Sequence, residues 1–181
     1  MLLTLVEVLS LVVMTLALGY IFSGFIRIPR DLFEMKGGFD WENFWFAALV
    51  SAPAVVFHEF GHKFVAMALG YSATFHVYTF GLVLAVVLKM ISSPLLILAP
   101  AYVSIPAGVP PLQGSLIAFA GPFVNLLLFG ISALVLKLRK NMSKKEMIGW
   151  AISKKLNLFL FIFNMIPIPP LDGFHVLSGL W

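Results

Sequence analysis

The sequence contains no cysteine. That absence removes disulfide frameworks, thiolate nucleophiles and every cysteine-type zinc site at once, so a metal held by this chain must sit on His, Asp or Glu. Charge is also scarce: Asp, Glu, Lys and Arg make up 11% of the residues, against about a quarter in soluble domains. The net charge of +4 is modest, and the lysines gather in one loop instead of interleaving with aromatics. No nucleic-acid footprint can be read from that pattern. Internal repeats and low-complexity tails are lacking too.

What is abundant is apolar surface, with 61% hydrophobic residues and a mean hydropathy of +1.01. This is the composition of an integral membrane protein, and backbone facing lipid must satisfy its own hydrogen bonds, which makes the fold mainly α. The expected architecture is a single domain over residues 1–181, a polytopic membrane protein with about four transmembrane segments. A small β-sheet region is expected between the second and third of them.

The first apolar run, Leu2 to about Phe25, has no basic n-region and exceeds the length of a signal-peptide core, so it reads as a retained transmembrane helix. A polar stretch, Ile26 to Glu42, reads as an interfacial connection. The second helix runs from about Asn43 to Leu69 and stops at Gly70. Beyond it, Ala73–Tyr78 alternates small or polar residues with aromatics, and Gly81–Leu88 and Leu95–Ile105 are short Val/Leu-rich runs punctuated by prolines. All three read as strands, and Ser92-Ser93-Pro94 argues against one merged helix through Gly81–Leu98. A third helix covers about Leu112–Leu138, followed by a basic loop of Lys137, Arg139, Lys140, Lys144 and Lys145. A fourth begins near Met147 and is broken by Asn164-Met165-Ile166-Pro167-Ile168-Pro169-Pro170-Leu171-Asp172-Gly173, with a half-helix resuming from about Leu171 to Trp181.

The second helix carries His58-Glu59-Phe60-Gly61-His62, an HExxH pattern. Residues four apart share a helix face, so His58 and His62 can reach one metal ion, with Glu59 beside it to take a proton from water. In a soluble helix this pattern alone also arises by chance. Inside an apolar span, where ionisable side chains are costly, the solvated-surface reading is removed. Of the eight acidic residues, only Glu7, Glu59 and Asp172 lie in apolar segments. A hydrolytic zinc site takes three protein ligands and leaves a position open. Asp172 is the first candidate for the third ligand, because it follows a proline break that survives at membrane depth only where buried or lining a wet cavity. His175, on the same face if helix resumes there, is the second. Glu7 reads as a membrane-edge or protonated residue, and His76 as a strand residue near the interface.

HEFGH, FAGPFVN ending at Asn125, and NMIPIPPLDG ending at Asp172-Gly173 together resemble the three signatures of the site-2 protease family of intramembrane zinc metalloproteases. The resemblance covers about Asn43–Trp181, the core motifs of residues 43–181. It implies one zinc ion per chain held by His58, His62 and Asp172, with Glu59 as catalytic acid/base. It also implies that Asn125 and Asn164 line the site, Asn125 as the contact to substrate or oxyanion. Taken alone, Gly121-Pro122 reads equally as a close-packing device and Asn125 as an interhelical hydrogen bond. The implied activity is intramembrane endopeptidase cleavage in or near the transmembrane helix of a membrane-protein substrate. The alternative is a metal-binding transporter or sensor without hydrolysis, for which Glu59 has no evident use.

Members of that family often carry a PDZ or CBS domain, and this sequence is expected to be the catalytic core, with further C-terminal sequence beyond Trp181. The resemblance places the protein as multi-pass in the cell membrane, with its N-terminus and the 71–111 region cytosolic and the zinc site nearer that face. The positive-inside rule, counted over 26–42 and the basic loop, points the other way. The resemblance is preferred because the charges are few.

Overall fold

Helices dominate because most of the backbone lies in apolar runs with local start and stop signals. In the computed structural model, residues 3–26, 28, 38–91 and 101–179 are described. Helix α1 (Leu5–Phe22) opens on a reciprocal capping box in which Thr4 accepts from the Glu7 amide and Glu7 accepts from that of Thr4. Asp40 caps α2 (Trp41–Ala68), taking the Asn43 amide. After strand β1 (Thr74–Val77) come α3 (Thr79–Met90) and strand β2 (Ala101–Ser104). Pro111 begins α4 (Pro111–Leu138) at a position where its missing N–H costs nothing. A Ser143/Glu146 capping box starts α5 (Lys144–Asn164), and the short α6 (Asp172–Ser178) follows the proline break, which contains a cis Pro169–Pro170 bond.

Among the described residues three helices, α1, α2 and α4, are long and apolar enough to cross a membrane. The fourth long helix, α5, has 21 residues but carries Lys154 and Lys155 halfway along. Strands β1 and β2 pair antiparallel, with Phe75 opposite Val103 and His76 opposite Tyr102. His76 is a strand residue as expected, its ring stacked on that of Tyr102.

One expectation is overturned. Gly81–Leu88, read as a strand, lies inside α3. Its Val and Leu residues suit either structure, and in an apolar setting a helix satisfies the backbone within the segment itself. Of the other expected strand, Leu95–Ile105, the part from 101 to 104 forms β2, and residues 95–100 lie outside the described residues. So does most of the polar stretch 26–42, and so do the last two residues of the expected half-helix.

Two ends of the bundle are distinguishable. The Phe75 amide of β1 donates to Glu7 at the start of α1, 2.8 Å away, so the sheet lies at the N-terminal end of α1 and the C-terminal end of α2. At the opposite end Lys145 of α5 pairs with Glu42 of α2 at 3.0 Å. The core is built from Met14, Leu18 and Ile21 of α1, Phe46, Ala47 and Val50 of α2, Phe75 of β1, and Leu82 and Ala85 of α3.

Candidate metal centre

His58 and His62 stand one turn apart on α2, both buried, and face α4. They can do so only because α4 presents no side chain at Gly121. A Cβ there would run into His62 Nε2 and come within 2.8 Å of His58 Nε2. Gly61 plays the matching part on α2, where a Cβ would sit 2.7 Å from the Ala120 carbonyl oxygen. The two glycines of HEFGH and FAGP thus set the approach of α2 and α4.

Asp172 arrives from the far side of the proline break as the first residue of α6. Two contacts hold α6 in place. Gly173 abuts the Met165 carbonyl, leaving no room for a side chain. Ser115 of α4 donates to the Val176 carbonyl at 2.9 Å, tying the end of α6 to α4. The carboxylate then lies 3.1 Å from His58 Nε2 through Oδ2 and 3.4 Å from His62 Nε2 through Oδ1. The two Nε2 atoms are 3.1 Å apart.

Each separation is close to the about 3.3–3.4 Å between two ligand atoms bound to one zinc at about 2.0–2.1 Å, and with one atom taken from each side chain all three lie within 4.8 Å of one another. The protons tell the same story. His62 Nδ1 is 2.8 Å from the Ile117 carbonyl, which can only accept, so Nδ1 carries a hydrogen and, in the neutral ring, Nε2 keeps the lone pair. His58 Nδ1 lies 2.6 Å from Asn125 Oδ1. The Asn125 amide nitrogen faces the Ala54 carbonyl at 2.9 Å, which fixes Oδ1 as the end turned to His58. As neutral rings with the hydrogen on Nδ1, both imidazoles turn an Nε2 lone pair toward a carboxylate whose buried Oδ2 receives no hydrogen bond. In that state three acceptors converge. A divalent cation resolves that arrangement, and the donor set of two imidazoles and a carboxylate suits zinc.

The centre opens onto a cavity of about 560 Å³ lined by Glu59, Asn164, His175, the β2 residues Ala101, Tyr102 and Val103, and Leu156 and Leu160 of α5. Glu59 is buried in its wall beside the ligand group. Asn164 donates to the Leu160 carbonyl at 3.0 Å and keeps its edge toward the cavity. Among the described residues the metal-capable group is His58, His62 and Asp172, and His175 is outside it. Asn125 is fully buried behind His58, and both its amide hydrogens are engaged, by Ala54 and by Asn157 Oδ1 at 2.9 Å. Asn157, buried on α5, was not singled out from the sequence, although a polar residue within Leu156-Asn157-Leu158 of an apolar half-helix was the available signal.

Fold and site define a class: a helical protein with helices able to cross a membrane and a His–His–Asp group whose two histidines lie on one of them. Comparison with known proteins agrees. The chain is 30% identical over 172 residues to "Putative zinc metalloprotease MJ0611" of Methanocaldococcus jannaschii, covering 95% of this chain and 83% of that protein. The chain belongs to this zinc metalloprotease family. It is also 37% identical over 79 residues to "Putative zinc metalloprotease YwhC" of Bacillus subtilis, covering 39% of this chain and 36% of that one. To "Putative zinc metalloprotease sll0528" of Synechocystis it is 31% identical over 149 residues, covering 81% of this chain and 34% of that one. The chain thus spans about a third of the length of these last two. No family model matches the chain, and no solved structure matches it.

Proposed function

We propose that this chain is the single-domain core of an intramembrane zinc endopeptidase of the site-2 protease type. It cleaves peptide bonds in or near a transmembrane helix of a membrane-protein substrate in regulated proteolysis. The observation that carries this reading is the convergence of two imidazole Nε2 atoms, on a helix long enough to cross a bilayer, with the Asp172 carboxylate beside a buried Glu59.

Zinc bound by His58, His62 and Asp172 would supply Lewis acidity toward a water and the scissile carbonyl. Glu59 accepts the proton from the attacking water and returns it to the leaving amine nitrogen. Asn164, on the cavity wall, contacts the substrate backbone. Asn125 acts on His58 from behind, because neither of its amide hydrogens is free for an oxyanion. An unwound substrate segment enters the cavity along β2, whose residues line it, and pairs there as an added strand. The protein is multi-pass in the cell membrane with the sheet end toward the cytosol. His58 is about ten residues, roughly 15 Å of helix, from that end of α2.

Glu59→Gln tests the assignment against a non-hydrolytic transporter or sensor. The variant is expected to keep one zinc per chain and lose about 10²–10⁴-fold in cleavage of a transmembrane peptide. Undiminished cleavage by this variant would remove the enzyme role given to Glu59.

A further inference from the structure

The polar contacts of α5 extend the centre beyond its ligands. Asn157 donates through Nδ2 to the Ser153 carbonyl at 2.9 Å. A carbonyl oxygen can only accept, so the Asn157 amide cannot be turned around, and its Oδ1 faces Asn125. Asn125 in turn donates its two Nδ2 hydrogens, one to Asn157 Oδ1 and one to the Ala54 carbonyl of α2, each at 2.9 Å. That leaves Asn125 Oδ1 with one partner, His58 Nδ1 at 2.6 Å. The order of donors and acceptors is thus set from a backbone carbonyl on α5, through two side-chain amides, to one imidazole on α2. Both amides are buried, at 0% and 1% exposure, so water does not compete for these hydrogen bonds.

We infer that Asn157 is a positioning residue for metal binding: it locks the Asn125 amide so that His58 keeps its hydrogen on Nδ1 and offers a bare Nε2 to the cation. Nothing in the HExxH, FAGPFVN or NMIPIPPLDG motifs contains it. Its effect passes through two hydrogen bonds, and partners of this kind beyond the ligands typically contribute 10–100-fold in metal affinity. The second anchor on Asn125, the Ala54 carbonyl, survives when Asn157 is replaced. The expected effect is therefore at the lower end of that range.

This inference rests on the reading of His58, His62 and Asp172 as the metal ligands, and its readouts do not involve cleavage. The full chain in detergent, loaded with zinc, is compared with Asn157→Leu and Ser153→Ala by competition against a chelator. Proton–nitrogen NMR of histidine-labelled protein follows the His58 Nδ1–H. In the unsubstituted chain that proton is expected downfield and slow to exchange with solvent. In Asn157→Leu zinc affinity is expected to fall about tenfold, with the His58 Nδ1–H moving upfield and exchanging faster. Ser153→Ala, which keeps the carbonyl anchor and loses only the hydroxyl, is expected to match the unsubstituted chain in both. Two results would each overturn the inference. One is unchanged affinity and an unchanged His58 signal in Asn157→Leu; the other is losses in Ser153→Ala as large as those in Asn157→Leu. Should Asn157→Leu not fold, the unsubstituted chain still decides, since a rapidly exchanging His58 Nδ1–H contradicts the lock. Failure of the unsubstituted chain to bind zinc would sink the ligand assignment itself, a result distinct from either of these.

Discussion

Glu7 of α1 and Lys63 of α2, 56 positions apart in sequence, form an ion pair that is almost completely withdrawn from solvent. Glu7 is 1% exposed and Lys63 2%. The carboxylate also accepts from the Phe75 amide of β1 and from Thr4, so one side chain joins α1, the sheet and the residue after His62. Glu7, read from the sequence as a membrane-edge or protonated residue, stands in the first turn of α1 and is paired there with the Lys63 ammonium. It is an anchor between the HExxH helix and the strands that wall the cavity.

Removing one partner leaves the other charge buried and unpaired, which typically costs about 3–5 kcal/mol, whereas removing both charges is far milder. Lys63→Met alone is expected to lower the melting temperature sharply in detergent. Glu7→Gln combined with Lys63→Met should recover most of the loss, because Gln still accepts from Phe75. A double variant as unstable as Lys63→Met would show that the charges themselves are not the source.

Gly121 gives a second prediction, with its control in the same helix. Gly121→Ala forces a methyl into the two imidazoles and should abolish zinc binding and cleavage together. Gly130 meets nothing within 4 Å, so Gly130→Ala should leave both intact and, by helix propensity, stabilise by up to about 1 kcal/mol. Zinc content and a thermal melt of each variant check the contrast.

The edge of β2 yields a third. Successive residues of a strand point their N–H groups to opposite edges, so of Tyr102 and Val103 one faces β1 and the other faces away. Replaced singly by proline, the outward one should keep the fold and the zinc yet lose cleavage of a transmembrane peptide. Full activity in both variants would remove strand pairing from the substrate path.

Chelation offers a fourth. The spans satisfy their backbones internally, so prolonged treatment with a zinc chelator should end cleavage while the helical circular dichroism persists. Restoring zinc should then restore activity. Collapse of the helices on chelation would mean that the centre holds the bundle together.

The grouping of His58, His62 and Asp172 was legible because its cues are local: His58 and His62 are fixed by helix geometry, and Asp172 stands out as an acid behind a proline break. The helix expected over Leu112–Leu138, here α4, and the first strand were legible from that apolar run and from the alternation at 73–78. Helix α3 was not, since Gly81–Leu88 is short, apolar and β-branched enough to suit either structure. Lys63 could not be matched to Glu7, nor Asn157 to Asn125, because partners 56 and 32 positions apart meet only once the helices pack. Asn125 shows the same limit. The motif marks it as a site residue, but only the donors and acceptors around it reveal that it faces His58.

The most direct test is zinc per chain in the purified protein, with X-ray absorption at the zinc edge. The account predicts one zinc with two imidazole nitrogens and carboxylate oxygen at about 2.0–2.2 Å, and loss of that zinc in Asp172→Ala. A chain that binds no zinc, or an Asp172→Ala variant with an unchanged zinc spectrum, would contradict it.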